Sequence, residues 1–244
     1  MRPGLDIEQT RPLAQEERFR FQCHPGVVCF TECCRQLDLE LTPYDVLRLA
    51  AGLGLPSSTF LDQYAVIEHA ENDPFPRVFL AMVDDGRASC PFVSPQGCGV
   101  YAERPSACRT YPLGRGAAQK PDGTVHEMYI LLTEPHCHGF AEATTQNVAE
   151  WVGDQELAVY HAMNDLLLSL LHHQRFQHGM RLTPPQAEQF LFALYRHDRF
   201  RAALLTGKMT PMPALSPEEK QAAAADDRAL LTTGIAWLTH VLFG

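Results

Sequence analysis

No cysteine follows residue 137 in this chain of 244 residues, and basic side chains are scarce: 20 Lys and Arg stand against 29 Asp and Glu, a net charge of −9. Nearly all of the deficit lies in the first 150 residues, which carry twelve basic and twenty acidic side chains. A nucleic-acid partner requires a basic face, so that class is excluded from the expectation. No apolar run reaches the roughly 20 residues of a membrane span. The longest, 229–243, is interrupted by Thr232, Thr233, Gly234, Thr239 and His240 and is expected to form a buried terminal helix. The start, MRPGLDIEQTRPLAQEERFRF, lacks the apolar core and cleavage site of a secretory signal. A cytoplasmic protein with reduced thiols is therefore expected. Nucleophilic triads, phosphate-cradling glycine loops and dinucleotide fingerprints are also missing: Gly114-Arg115-Gly116 reads as a loop, and Asp84-Asp85 as turn chemistry.

What the chain does have is eight cysteines ahead of residue 138. Cys23, Cys29, Cys33 and Cys34 form one group, Cys90, Cys98 and Cys108 a second, and Cys137 stands between His136 and His138. A chain of this length can bury a core without disulfide staples, so the thiols are better read as soft metal ligands. A tetrahedral zinc and a [4Fe-4S] cluster each need four thiolates. Eight exceed one such site, which leaves open two centres, one centre with spare redox thiols, or some inert buried thiols. Paired Cys-x-x-Cys knuckles are absent, which counts against a plain structural zinc. His24, His136 and His138 adjoin cysteines but are read as solvated loop residues, as are His172, His173 and His178 at an exposed helix end.

Helix signals punctuate the rest. Cys29 to Gln36 is expected to form a short helix with Cys29 and Cys33 one turn apart. Thr42-Pro43-Tyr44-Asp45 is a capping box opening a helix through Ala51, and another helix begins near Ser58. The apolar run 78–83 followed by Asp85-Gly86 predicts a hairpin whose return arm, 87–92, carries Cys90. Met128 to Thr133 is a further strand. Helices are expected over 154–171 and 185–195, and at the capping box Ser216-Pro217-Glu218-Glu219. The fold class is α+β, mostly helical. A small irregular cysteine-rich metal-binding part with two or three short strands occupies 1–140, and a helical region, 141–244, packs on it.

The second cysteine group sits in a particular setting: Cys90-Pro91-Phe92, Gly97-Cys98-Gly99-Val100-Tyr101, then Arg104-Pro105 leading to Cys108-Arg109-Thr110-Tyr111-Pro112. With Phe21-Gln22-Cys23 and the run ending in Cys33-Cys34, it resembles the bacterial and archaeal cysteine-cluster family named after the YkgJ protein, described as zinc- or iron-chelating. The first block departs from the family spacing, with five residues between Cys23 and Cys29. The flagellin lysine methylase contains a similar block. The resemblance implies a metal or [4Fe-4S] centre held by Cys23, Cys29, Cys33, Cys34, Cys90, Cys98, Cys108 and Cys137. Arg104 and Arg109, flanking Cys108, either offset the charge of such a centre or form structural ion pairs with residues such as Glu103.

Three function classes follow. The first is an iron-sulfur protein with a redox, sensing or accessory role in protein modification, a class that includes oxidoreductases. The second is a zinc-stabilised module whose C-terminal helices dock another protein. The third is an enzyme that uses a thiol-bound metal as a Lewis acid, which requires an open coordination position.

Overall fold

The computed structural model describes residues 9–120, 122–211 and 214–244. In chain order the regular elements begin with β1 (Thr10–Leu13), β2 (Phe19–Arg20), α1 (Pro43–Gly52), α2 (Ser57–Tyr64), β3 (Ala65–Glu68) and β4 (Arg77–Leu80). They continue with β5 (Val93–Ser94), β6 (Gly97–Cys98), α3 (Ser106–Thr110), β7 (Leu113–Gln119), β8 (Val125–Leu132), β9 (Thr145–Gln146) and α4 (Val148–Asp154). The rest is helical: α5 (Leu157–Asp165), α6 (Leu168–Leu171), α7 (Gln174–Gln177), α8 (Pro184–Leu194), α9 (His197–Thr206), α10 (Pro217–Ala225) and α11 (Asp227–Phe243). The protein is α+β and mostly helical, as expected. Its strands are short and more numerous than the two or three anticipated, and they form one three-stranded and three two-stranded sheets among the described residues.

The chain divides into two compact units. The first combines the described part of Met1–Glu40 with Phe79–His161, and the second combines Leu41–Val78 with Ala162–Gly244. All eight cysteines fall in the first.

The first unit is built on the antiparallel sheet β1-β8-β7. Its core gathers Leu13, Phe19, Phe21, Leu113, Tyr129, Leu131, Val148, Trp151 and Leu157. Strand β7 replaces the loop expected around Gly114-Arg115-Gly116. Gly114 lies opposite Ile130 and Gly116 opposite Met128. A Cβ on Gly114 would come within 2.8 Å of Ile130 Cγ1, so glycine, a poor strand former, here permits a close cross-strand approach. Phe21 packs its edge against Trp151 and Tyr111 and tilts against Phe140, which fixes the chain just ahead of Cys23. The Trp151 indole N–H donates to the Thr110 carbonyl (3.0 Å) and so joins α4 to the end of α3.

The predicted hairpin near Asp85 survives only as its turn. Asp85 Oδ1 accepts from the Arg87 and Ser89 amides, Gly86 takes φ 76°, and Val83 bridges Ser89, but β4 pairs with β3 instead. The turn chemistry was local and legible, whereas β3 offered a pairing partner that the sequence pattern does not mark.

The second unit is helical apart from β3 and the start of β4. Helix α1 opens with the predicted box: Thr42 Oγ1 accepts from the Asp45 amide and Asp45 Oδ2 from the Thr42 amide. Val46, Leu47, Leu49 and Ala50 are buried as anticipated. The box at Ser216 opens α10, and α8 matches the helix expected over 185–195. The helix expected over 154–171 is divided into α5 and α6, and Glu156 at φ 53° separates α5 from the end of α4. His172 and His178 are exposed as expected, but His173 is half-buried and stacks on Phe243 at 3.6 Å between ring centroids.

Candidate metal centre

Two backbone ladders bring the thiols together. In the first, the segment after β2 runs along the turn that follows β8: the Phe21 amide donates to Thr144 O (3.0 Å) and the Gln22 amide to Gly139 O (3.1 Å). This places Cys23 beside the Cys137 turn, which is itself closed by a bond from the Cys137 amide to Glu134 O. The His138 amide then donates to Cys29 Sγ at 3.1 Å, and the Cys29 and Cys137 thiols lie within hydrogen-bonding reach of each other. Gly139 makes this approach possible. A Cβ there would meet Phe21 Cε2 at 2.7 Å and Gln22 O at 2.9 Å. Gly139→Ala is therefore expected to cost about 1–3 kcal/mol, the range for overpacking a filled site. Urea denaturation of the variant, with an unchanged midpoint as the contrary result, checks this.

The second ladder joins Cys34 to Cys90. Between Cys29 and Gln36 the chain forms a 3-10 turn, Glu32–Cys34, instead of the expected helix, because Thr31 (φ 70°) and Gln36 (φ 53°) adopt left-handed conformations at either side. The Cys90 amide donates to Cys34 O (2.8 Å), the Gln36 amide to Ala88 O (2.9 Å), and Arg35 bridges Ser89. The Val93 amide turns back to Cys90 O, and the β5-β6 hairpin sets Cys98 opposite Val93. Phe30 lies 3.2 Å from where a Gly97 Cβ would stand and so packs the first cysteine block over this hairpin. Cys33 and Cys34 hydrogen-bond to each other.

None of the eight thiols is in a disulfide. Cys23, Cys33 and Cys108 are exposed and the other five half-buried. Cys23 still meets solvent, yet partial desolvation followed by repulsion from Cys33, Cys29 and Cys137 pushes it up to about 11. Cys33 is held far above the ordinary thiol range by its bond to Cys34, then by burial and the Cys34 charge. Burial also raises Cys90 and Cys98; Cys98 and Cys33 add repulsion at Cys90, and Cys33 at Cys98. Cys137 is raised by burial, which outweighs the opposing Tyr111 hydroxyl. Cys23, Cys29, Cys33, Cys34, Cys90, Cys98 and Cys137 thus form one connected electrostatic neighbourhood. Crowded thiols whose ionised forms repel one another suit a cation that would neutralise them. Among the described residues no three His, Cys, Asp or Glu side chains converge as a ready ligand set; the thiols meet in pairs.

Cys108, on α3, lies within electrostatic range of Arg104, which is also close enough to Cys98 to favour its thiolate. Arg104 donates to Tyr101 O (2.6 Å) and to Gln155 Oε1 (2.5 Å), and its guanidinium covers the Tyr101 ring at 3.8 Å. Arg109 is buried, donates to the carbonyls of Arg104 (3.1 Å), Gln155 (2.9 Å) and Ala102, and lies 4.7 Å from the centroid of the Tyr160 ring. Its carboxylate neighbour is Glu156, at 3.8 Å and largely exposed. Arg109 therefore shapes the loop between Cys98 and Cys108, while Arg104 adds positive charge beside both thiols.

His24 pairs with Glu142 (3.5 Å) and His136 with Glu134 (3.7 Å), both near solvent. Sequence reasoning passed over Tyr111, Gly139 and Gln155. Tyr111 is in the Arg-x-Tyr-Pro block and could have been found there. Nothing local marks Gln155, which meets both arginines from more than forty residues away.

No curated protein and no solved structure matches the chain. Residues 22–138 match the family model CxxCxxCC, described as "Putative zinc- or iron-chelating domain". That segment contains all eight thiols and both arginines, so the similarity to the CxxCxxCC model spans the whole candidate site.

Proposed function

We propose that the first unit holds a thiolate-ligated iron-sulfur centre, [4Fe-4S] in type, with a redox, sensing or accessory role in the modification of another protein. The observation that carries this reading is the gathering of seven thiols, from three separate stretches of chain, into one neighbourhood. Irregular loops, rather than paired knuckles, deliver them, which suits a cluster better than a zinc ribbon. Such a centre, when bound, supplies one-electron chemistry. The chain's own groups set its surroundings. Arg104 places a positive charge near Cys98 and Cys108, Tyr111 faces Cys137, and the amide of His138 donates to the Cys29 sulfur, contacts of the kind that tune a cluster's potential. Free thiols fit a reducing compartment, in keeping with a cytoplasmic setting. Among the described residues no helix is long and apolar enough to cross a membrane.

The zinc reading stands second because the family description names zinc beside iron. Anaerobic purification followed by iron, zinc and acid-labile sulfide analysis with a visible spectrum separates the two. Iron and sulfide in equal amounts with a brown, oxygen-sensitive absorption are expected. Colourless protein with stoichiometric zinc and no sulfide would overturn the iron-sulfur reading in favour of the zinc one.

A further inference from the structure

Where α8 gives way to α9, the second unit carries a cavity of about 320 Å³ lined by Glu188, Gln189, Phe192, Arg196 and Arg199. Phe192 is its apolar wall, held by edge contacts with the rings of Phe200 and Trp237 at 5.5 and 5.9 Å between centroids. Arg196 is half-buried, and its Nε is shut away from water without a hydrogen-bond partner among the described residues. Arg199 is exposed at the rim. The other charges of this corner are committed elsewhere. Asp198 Oδ1 accepts from the hydroxyls of Ser57 (2.7 Å) and Ser58 (2.8 Å) and from the Ser58 amide (2.9 Å). Arg201 donates to the Ala224 carbonyl and to Asp227 Oδ1 (3.1 Å). Among the described residues no ion pair reaches Arg196 or Arg199.

We propose that this cavity binds a small organic monocarboxylate, its carboxylate held by Arg196 and Arg199 and its apolar body laid on Phe192. A guanidinium fork matches the two oxygens of a carboxylate, and a half-buried guanidinium without a counter-charge is relieved by one. Glu188 decides between anions. With two arginines and one glutamate the lining carries a net single positive charge, which balances a monoanion, whereas a phosphate dianion would meet the Glu188 carboxylate in excess. The cavity stands at the lower end of small-ligand pockets, about 300–1,000 Å³, and its aromatic wall is already in place. The inference stands on the second unit alone and does not depend on the metal-centre reading.

The test titrates the full chain with phenylacetate as the probe, followed by ligand-observed NMR. The neutral analogue 2-phenylethanol and inorganic phosphate, in mildly alkaline buffer where it is a dianion, serve as comparisons. Phenylacetate should saturate in the millimolar range or tighter, with both comparisons roughly tenfold weaker or more. Arg196→Gln and Arg199→Gln should each weaken phenylacetate about tenfold, the loss of one charge-assisted hydrogen bond. Glu188→Gln should strengthen phosphate binding about threefold by removing the repulsion at the rim. Far-UV circular dichroism checks that the variants remain folded, and the three probes on the parent chain decide the matter even where a variant does not. No saturable phenylacetate binding to the parent, equal binding of 2-phenylethanol, or unchanged affinity in both folded arginine variants would overturn the proposal. Phosphate binding tighter than phenylacetate, or no gain for phosphate in Glu188→Gln, would overturn the choice of a monocarboxylate.

Discussion

Arg109→Leu is expected to destabilise the first unit by about 3 kcal/mol or more, since each buried carbonyl left without a donor costs about 1–3 kcal/mol. The Arg109 side chain is only 4 % exposed. Its guanidinium serves three carbonyls from two segments: Ala102 and Arg104 in the loop after Cys98, and Gln155 at the junction of α4 and α5. The Tyr160 ring closes the remaining side. Leucine would fill part of the volume and satisfy none of those acceptors. Arg109→Lys keeps the charge but loses the fork that reaches three oxygens at once, so it should fall between the parent and the leucine variant. Urea denaturation measures this, with Trp151 fluorescence reporting the first unit in a Trp237→Phe background. A loss below about 1 kcal/mol for Arg109→Leu would mean that the carbonyl cage does not hold the loop. Cys98 and Cys108 bracket that loop, so the leucine variant should also bind metal less tightly.

Acidification should weaken the second unit through His197. Its side chain is 3 % exposed and its ring nitrogens are shut away from water. Burial, with repulsion from Arg201 second and partly opposed by Asp198, pushes it down to about 4 from an ordinary 6.5. The unfolded chain therefore binds a proton that the folded chain refuses over that window. Stability contributed by the neutral ring is present above pH 6.5 and lost as pH falls towards 4, in total on the order of 3 kcal/mol. Asp198 acts lower. Burial alone would raise its carboxyl, but the bonds from Ser57 and Ser58 outweigh that and bring it below 3.8, so its contribution is lost only in stronger acid. His197→Phe should remove the loss between pH 6.5 and 4 and leave the strong-acid loss in place. Urea midpoints at pH 7 and pH 5, followed through Trp237 in α11, compare the two chains. An equal drop in both would show that His197 does not cause it.

The parts of the fold that were legible in the sequence are those governed by neighbours in the chain. The boxes at Thr42 and Ser216 place α1 and α10 because the cap and its partner lie three residues apart. The Asp85 turn is local for the same reason. Strand β7 was hidden because Gly114 and Gly116 carry no strand signal, and their role emerges only opposite Ile130 and Met128. The helix expected at Cys29 to Gln36 failed on two backbone conformations, at Thr31 and Gln36, that residue type does not announce. In the candidate site, the eight thiols and the flanking arginines could be named from spacing and resemblance. Their grouping could not. His138, next to Cys137, reaches Cys29 across 109 positions, through the close approach allowed by Gly139, and periodicity carries no information at that range.

Differential alkylation of the anaerobically isolated chain, read by mass spectrometry thiol by thiol before and after chelation, tests most directly whether these cysteines hold a metal. Cys23 and Cys33 are exposed, so packing does not shield them, and because their thiols are raised the chelated chain labelled at the same pH is the reference for their intrinsic rate. The account predicts that both are protected along with Cys29, Cys34, Cys90, Cys98 and Cys137, and that chelation opens the protected set together. Ready alkylation of Cys23 and Cys33 in the isolated chain, unchanged by chelation, would contradict it.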